Sequence, residues 1–329
     1  MAVSLVIGGS SQIAFYVIKK SLDRGEEVIA TFRSQNSLQE RLQHLASAHV
    51  DLRRLTTIII ESLSDFDIDH AISSFSIDLI YYFSAINLPS TVEMSIEDSR
   101  LMRRVHVDAT SEILKVLTKH SLTRAVFALS SSIFKPLEFK DRNIGVNSAP
   151  NPSDLYGKTK LESWERIKLH RSIYGSQVSG LVLFNYESSY RMGSNRSNFL
   201  IHKLAKDLAE IKADRRNEFS VNSFSSRNDW SHAIDIADGI LEVAKSKNLK
   251  DYVIGSGFGQ SIKQILEESL LMIDDKQLNK RCSFLIPEEI SYEPCVIAEI
   301  DPITELLGRS FQGRVSQVVQ FEYMRLLKS

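Results

Sequence analysis

Val3-Ser4-Leu5-Val6-Ile7-Gly8-Gly9-Ser10-Ser11-Gln12-Ile13-Ala14 is the stretch on which the fold turns. A short apolar run stops at two glycines and gives way to an amphipathic segment reaching residue 23. That pattern predicts a buried strand, a tight turn and a helix. A dinucleotide site needs such a turn, with close backbone approach to the diphosphate and free N–H groups where the helix begins. Gly8 supplies the turn. Ser11 and Ala14 stand at the next two positions of the glycine pattern, and both are small enough for the backbone to be approached. Taken alone, a phosphate cradle and a plain tight turn fit these residues equally well.

Outward from this turn the rhythm repeats. Strands are expected at 27–32, 55–60, 79–84, 125–130 and 178–184, with helices at 37–47, 65–75, 96–120 and 153–174 between them. The 96–120 helix carries Met102, Val105, Ala109, Ile113 and Val116 at helical spacing. Residues 135–152, with Pro136, Pro150 and Pro152, read as a long loop of the kind that borders active sites. Beyond 184 the pattern loosens into a polar loop at 191–198, helices at 199–213, 231–246 and 261–272, a strand at 252–255 and two helical pieces after 302. Short apolar runs alternating with helices predict an α/β fold, a Rossmann-type doubly wound parallel sheet with a smaller mixed C-terminal part. The expected division is 1–180 for cofactor and 181–329 for substrate, the second part interleaved with the first.

Composition narrows the function. The chain has 329 residues, 43% hydrophobic and 25% charged, enough for one large domain or two ordinary ones. With 40 basic and 41 acidic residues the net charge is −1, so there is no basic excess to hold nucleic acid or an anionic membrane. Two cysteines, Cys282 and Cys295, make no disulfide framework and no paired Cys-x-x-Cys zinc pattern; no metal is expected. The apolar N-terminal run is short and lacks a basic flank, and no stretch approaches the ~20 residues of a membrane span. A cytoplasmic protein is the expectation.

Two further motifs carry chemistry. At the end of the second strand, where an NAD site usually places an acid, stand Arg33 and Ser34, which suit the 2′-phosphate of NADP. Tyr156-Gly157-Lys158-Thr159-Lys160 puts a phenol and an ammonium one helical turn apart, after a strand ending in Ser130-Ser131-Ser132. A phenol with a reference pKa of about 10 is a poor acid–base group. Lys160 and a cationic nicotinamide are expected to lower that value, with a serine hydroxyl binding the same substrate oxygen. No Gly-x-Ser-x-Gly elbow supports a serine hydrolase. His232 and Trp230 read as structural, and Arg103-Arg104 as solvated or interfacial.

These motifs, with Tyr81-Tyr82-Phe83-Ser84-Ala85, Leu183-Phe184-Asn185-Tyr186-Glu187-Ser188 and Asp229-Trp230-Ser231-His232-Ala233-Ile234-Asp235, resemble the extended short-chain dehydrogenases/reductases. Within them the chain is most similar to the GDP-mannose 4,6-dehydratase branch of the nucleotide-sugar epimerases and dehydratases. The resemblance implies Tyr156 as acid/base and Ser130 as its partner, with Ser132 beside them. It implies a cofactor set of Gly8, Ser10, Ser11, Gln12, Ile13, Arg33, Ser34, Ser62, Leu63, Phe83, Ser84, Ala85, Phe184 and Asn185, joined by Tyr156 and by Lys160 on the nicotinamide ribose. It implies Asn185, Glu187, Arg191, Asn198, Lys203 and Arg227 on the side of a nucleotide sugar, a GDP-linked one first, and a homodimer or tetramer.

The departures from that pattern matter more. Ser132 replaces the glutamate that removes the C5 proton in the dehydratases, and a hydroxyl cannot take that proton at neutral pH. Asn228 replaces the arginine before Asp-Trp, Glu293 stands where another substrate arginine is expected, and Ser62 replaces an aspartate near the adenine. The first expectation is therefore an NADP-dependent reductase or epimerase of 4-keto sugars. The second is a dehydratase whose base is displaced, for instance to Glu187. The third is a nucleotide-binding protein that kept the fold without the catalysis.

Overall fold

A computed structural model describes residues 2–86, 94–136, 140–193 and 198–328. In chain order its strands are β1 (Val3–Ile7), β2 (Glu27–Phe32), β3 (Leu55–Ile59), β4 (Leu79–Tyr82), β5 (Arg124–Ala128), β6 (Arg142–Ile144), β7 (Val178–Leu183), β8 (Asn185–Glu187), β9 (Arg227–His232), β10 (Tyr252–Ile254), β11 (Gly259–Ser261) and β12 (Val296–Ala298). Its α-helices are α1 (Gln12–Asp23), α2 (Gln35–Ser47), α3 (Ile68–Phe75), α4 (Ile96–Arg103), α5 (Ala109–Leu117), α6 (Leu155–Tyr174), α7 (Leu200–Lys212), α8 (Ala233–Lys245), α9 (Ile262–Ile273), α10 (Lys276–Cys282), α11 (Asp301–Leu307) and α12 (Val315–Leu326).

Seven strands form one sheet in the order β3-β2-β1-β4-β5-β7-β10, every neighbouring pair parallel. Strands such as β4 and β7 are buried along their whole length because helices cover both faces, hence their unbroken apolar character. One face packs on α1 and α8 through Phe15, Val17, Ile236 and Ile240; the other packs on α5 and α6 through Ile113, Trp164 and Ile167. A third core, with Leu204, Leu266 and Val319, joins α7, α9 and α12. The sheet is the expected Rossmann-type arrangement. Its strand order reverses beside β1, between β2 and β4, which leaves a crevice above their carboxyl ends. Among the described residues no helix is long and apolar enough to cross a membrane.

Several elements differ from expectation. The 96–120 helix is interrupted by a π-helical turn at Arg104–Asp108, between α4 and α5. The wider turn accompanies a hydrogen bond from the Tyr82 hydroxyl to the Val105 carbonyl and turns His106 inward. The buried stripe is therefore Met102, His106, Ala109 and Ile113, with Val105 and Val116 only half-buried. The expected 231–246 helix starts at Ala233, because 227–232 is strand β9, parallel to β8 and antiparallel to β11. Alternate burial of Asp229 and Ser231 is strand periodicity inside a polar segment. The 135–152 loop contains β6, which pairs with β12. Residues 137–139 of that loop, and 194–197 of the 191–198 loop, lie outside the described residues.

Asp229 fixes this second region. Its carboxylate accepts from the Ser256 N–H (2.8 Å) and hydroxyl (2.6 Å), the Gly257 N–H (3.0 Å) and the Ala298 N–H (3.0 Å). It thereby ties β9 to the turn after β10 and to β12. Asp229→Ala leaves three backbone donors without an acceptor and is expected to destabilise the protein by about 3–5 kcal/mol. Urea denaturation checks this, with Asp229→Asn expected to lose less.

Candidate active site

Helix α6 meets the end of β5 at Gly157. A Cβ built there would lie 2.2 Å from the Ser132 carbonyl oxygen, so only glycine permits the approach. Asp154 caps the helix by accepting the Gly157 N–H at 2.7 Å. The approach sets Tyr156 close to Ser130, whose hydroxyl acts to lower the phenol's pKa. The Ser130 hydroxyl also donates to the Ser132 hydroxyl at 3.1 Å and accepts the Ser132 N–H at 3.2 Å. Lys160, one turn along, is buried, and its Nζ donates to the Ala128 carbonyl at 2.9 Å.

The electrostatics correct one expectation. Tyr156 is pushed up to about 12, chiefly by burial, with the Ser130 hydrogen bond acting against it. Lys160 does not lower it. Its ammonium lies 5.9 Å from the phenol ring centre and points at the Ala128 carbonyl, and burial pulls it down to about 7. The phenol is held as an acid.

A histidine relay missing from the sequence reading supports this pair. His106, driven down to about 2 by burial and then by the Lys160 charge, is neutral. Its Nε2 accepts the Ile86 N–H at 3.1 Å, which assigns the proton to Nδ1, 2.8 Å from the Thr159 hydroxyl. Thr159 donates on to the Tyr156 carbonyl at 3.0 Å, and the His106 ring meets the Tyr156 ring edge to face at 5.2 Å. The loop after β4 is thus tied to α6. The signal in the sequence was a polar residue on the apolar stripe, four places after Met102.

Ile86 also lines the crevice, which encloses about 910 Å³. Of the expected cofactor residues it gathers Gly8, Ser10, Ser11, Arg33, Ser34, Ser62, Leu63, Phe83, Ser84 and Ala85. Gly8 has φ +95°, and a Cβ on it would lie 2.8 Å from the Ser84 nitrogen, so turn and wall touch only because it is glycine. Arg33 is exposed and forms no ion pair or hydrogen bond among the described residues. Ser34 caps α2, accepting the Ser37 N–H, and Ser62 accepts the Ser64 N–H. Ile13 and Phe184 are core residues rather than crevice walls. Gln12 donates to the Tyr186 carbonyl, and its Oε1 is buried with no hydrogen-bond partner among the described residues. Asn185 is half-buried at the start of β8. The turn, the wall and a cation with no partner suit an extended dinucleotide.

The expected substrate residues do not converge. Arg191 lines the crevice, stacked 3.7 Å over Phe199 and bonded to both oxygens of buried Glu187. Burial works to raise Glu187, but His202 and Arg191 outweigh it and hold the carboxyl below its usual range. Asn198 is exposed ahead of α7, where Lys203 is half-buried outside the crevice lining. Arg227 is engaged elsewhere, bonded to Asp141 and to the Gly259 carbonyl.

The family model described as GDP-mannose 4,6 dehydratase matches residues 5–288. A GDP-mannose 4,6-dehydratase of Sordaria araneosa is 23% identical over 286 residues, 83% of this chain and 48% of that protein, so the chain spans about half of its length. A mouse UDP-glucose 4-epimerase is 23% identical over 80% of each chain. The structure of UDP-glucuronic acid 4-epimerase from Bacillus cereus superposes with a TM-score of 0.76 at 17% identity, covering 99% of both chains.

Two outcomes follow from the buried pair and its relay. His106→Ala orphans the Ile86 N–H and the Thr159 hydroxyl, so it is expected to cost about 1–3 kcal/mol in urea denaturation. Unfolded lysine keeps its proton to about 10.4, whereas folded Lys160 releases it near 7. Between those values the unfolded state binds more protons, so the Lys160 contribution makes stability rise with pH, by up to roughly 1 kcal/mol per pH unit. Denaturation at pH 7 and 9.5 is expected to show that rise in the parent protein and a smaller one in Lys160→Met.

Proposed function

The chain belongs to the GDP-mannose 4,6-dehydratase family, and from that premise we propose that it is an NADP-dependent oxidoreductase that reduces or epimerises the 4-keto group of a nucleotide sugar. The observation that carries this reading is a hydroxyl, bonded to Ser130, rather than a carboxylate at Ser132.

Gly8, Ser10 and Ser11 would hold the diphosphate, Arg33 the 2′-phosphate, and Ser84 and Ala85 the nicotinamide end of the crevice. A bound dihydronicotinamide supplies a hydride to a carbonyl carbon. The residues of the chain manage the proton. Ser130, turning its hydroxyl away from Ser132, would orient the carbonyl oxygen by donating to it. Tyr156 gives its proton to the same oxygen as negative charge develops there, so a phenol kept protonated by burial suits the reductive direction. Lys160 would hold the nicotinamide ribose, as the resemblance implies, rather than act on the phenol.

Water elimination, the chemistry named by the family, requires a base for the proton beside the carbonyl. The Ser132 hydroxyl is occupied by Ser130, and both Glu187 oxygens are bonded to Arg191. Glu187 is thus a poor candidate for a displaced base.

The test mixes the protein with NADPH and a panel of nucleotide 4-keto sugars and follows loss of the reduced-nicotinamide absorbance. Turnover is expected with at least one panel member, with NADPH preferred over NADH. Tyr156→Phe is expected to lower it by about 10²–10⁴-fold with little change in NADPH affinity. Tight NADPH binding without turnover of any sugar would overturn the reading, and water loss from a nucleotide sugar without net cofactor consumption would replace it with the dehydratase. A biological activity that survives Tyr156→Phe would point to a non-catalytic role.

A further inference from the structure

Arg41 is a cation in the buried stripe of α2, between Leu38 and Leu45, and its side chain is wholly inaccessible. Its guanidinium runs beneath the glycine turn. Nε donates to the Gly9 carbonyl at 3.0 Å, and Nη2 donates to the Ser10 and Ser11 carbonyls at 3.1 and 2.8 Å. Nη1 reaches the Tyr190 carbonyl at 3.5 Å, and the Phe15 ring packs 5.5 Å from the guanidinium carbon. Among the described residues no carboxylate forms an ion pair with it. Burial pulls it down to about 9, with the Glu40 charge acting in the opposite direction.

A buried arginine without a carboxylate is costly unless something else compensates the charge. Carbonyl dipoles do part of this. The same bonds set the turn's polarity: the Gly8 and Gly9 N–H groups donate to Thr31 and the Ser11 N–H to the Gly8 carbonyl, so among the described residues the amides left for the crevice are those of Ser10 and of the first turn of α1. Helix α1 fits this arrangement: Ser11 makes no side-chain cap and the first turn carries no acid. Two of the usual glycines are missing from the turn, so its shape depends more on what holds it from behind.

We propose that Arg41 is a positioning residue for the cofactor diphosphate: it fixes the phosphate turn through the three carbonyls and supplies the buried positive charge that the diphosphate neutralises. Through the Tyr190 carbonyl the same guanidinium joins the turn to the segment carrying Arg191. Tyr190 is held there by stacking on Phe15, with ring centres 3.6 Å apart. Arg41 does not itself line the crevice; Ser10 and Ser11 of the turn, to which it donates, do. The inference rests on the dinucleotide reading above and adds a residue that the glycine pattern does not contain.

The experiment measures dissociation constants of the full chain and of Arg41→Gln for three probes. NADPH and ADP-ribose contain a diphosphate; 2′-AMP contains the adenine and the 2′-phosphate but no diphosphate. Arg41→Gln is expected to weaken NADPH and ADP-ribose by about tenfold or more while 2′-AMP changes by less than about twofold. Arg41→Lys, which keeps the charge but not the three-carbonyl fork, is expected to fall between, and it carries the test if the glutamine variant does not fold. Equal losses for all three probes would mean a merely structural role, and unchanged NADPH affinity in a folded variant would remove the proposal outright. If the parent chain binds none of the probes, the dinucleotide reading itself fails, an outcome distinct from either.

Discussion

The closeness of α6 to the end of β5 is the constraint on which the site depends. Gly157 lies against the Ser132 carbonyl with no room for a side chain. That contact accompanies the burial of Lys160 and the approach of Tyr156 to Ser130. Both shifts follow from the resulting desolvation, which favours the neutral phenol and the neutral amine. The sheet supplies the other half, because reversal of strand order beside β1 opens the crevice, whose wall reaches this pair through Ile86 and His106. The π-helical turn brings His106 between them, joining the crevice wall to α6 by neutral hydrogen bonds.

Charge is distributed unevenly around the crevice. Arg33, at its rim, has no partner among the described residues, Arg191 is held by Glu187, and Arg41 lies behind the glycine turn. Arg227 is committed to Asp141, away from the crevice. Among these four arginines, and within the described residues, Arg33 is the one with neither an ion pair nor a hydrogen bond.

Much of this was legible in the sequence because it is written in local patterns. Apolar runs alternating with helices gave the parallel sheet, Gly8 the turn, and the spacing of Tyr156 and Lys160 one helix face. What stayed hidden depends on tertiary partners. Strand β9 is polar and declares itself only through pairing with β8 and β11. The π turn needs the Tyr82 hydroxyl from another element. Lys160 reads as a charge beside a phenol, yet its burial and its bond to the Ala128 carbonyl remove that influence. Arg41 could have been noticed as a cation at a core position of α2, but nothing local says that it faces the turn's carbonyls.

The most direct measurement is the ionisation of the Tyr156 phenol, followed by tyrosinate ultraviolet absorbance or by ¹³C NMR at tyrosine Cζ, with Tyr156→Phe identifying the signal. In the cofactor-free protein the account predicts a phenol that stays protonated well above the free tyrosine value of about 10. Ionisation below that value would contradict it, because Lys160 would then be acting on the phenol directly and burial would not be what sets its proton.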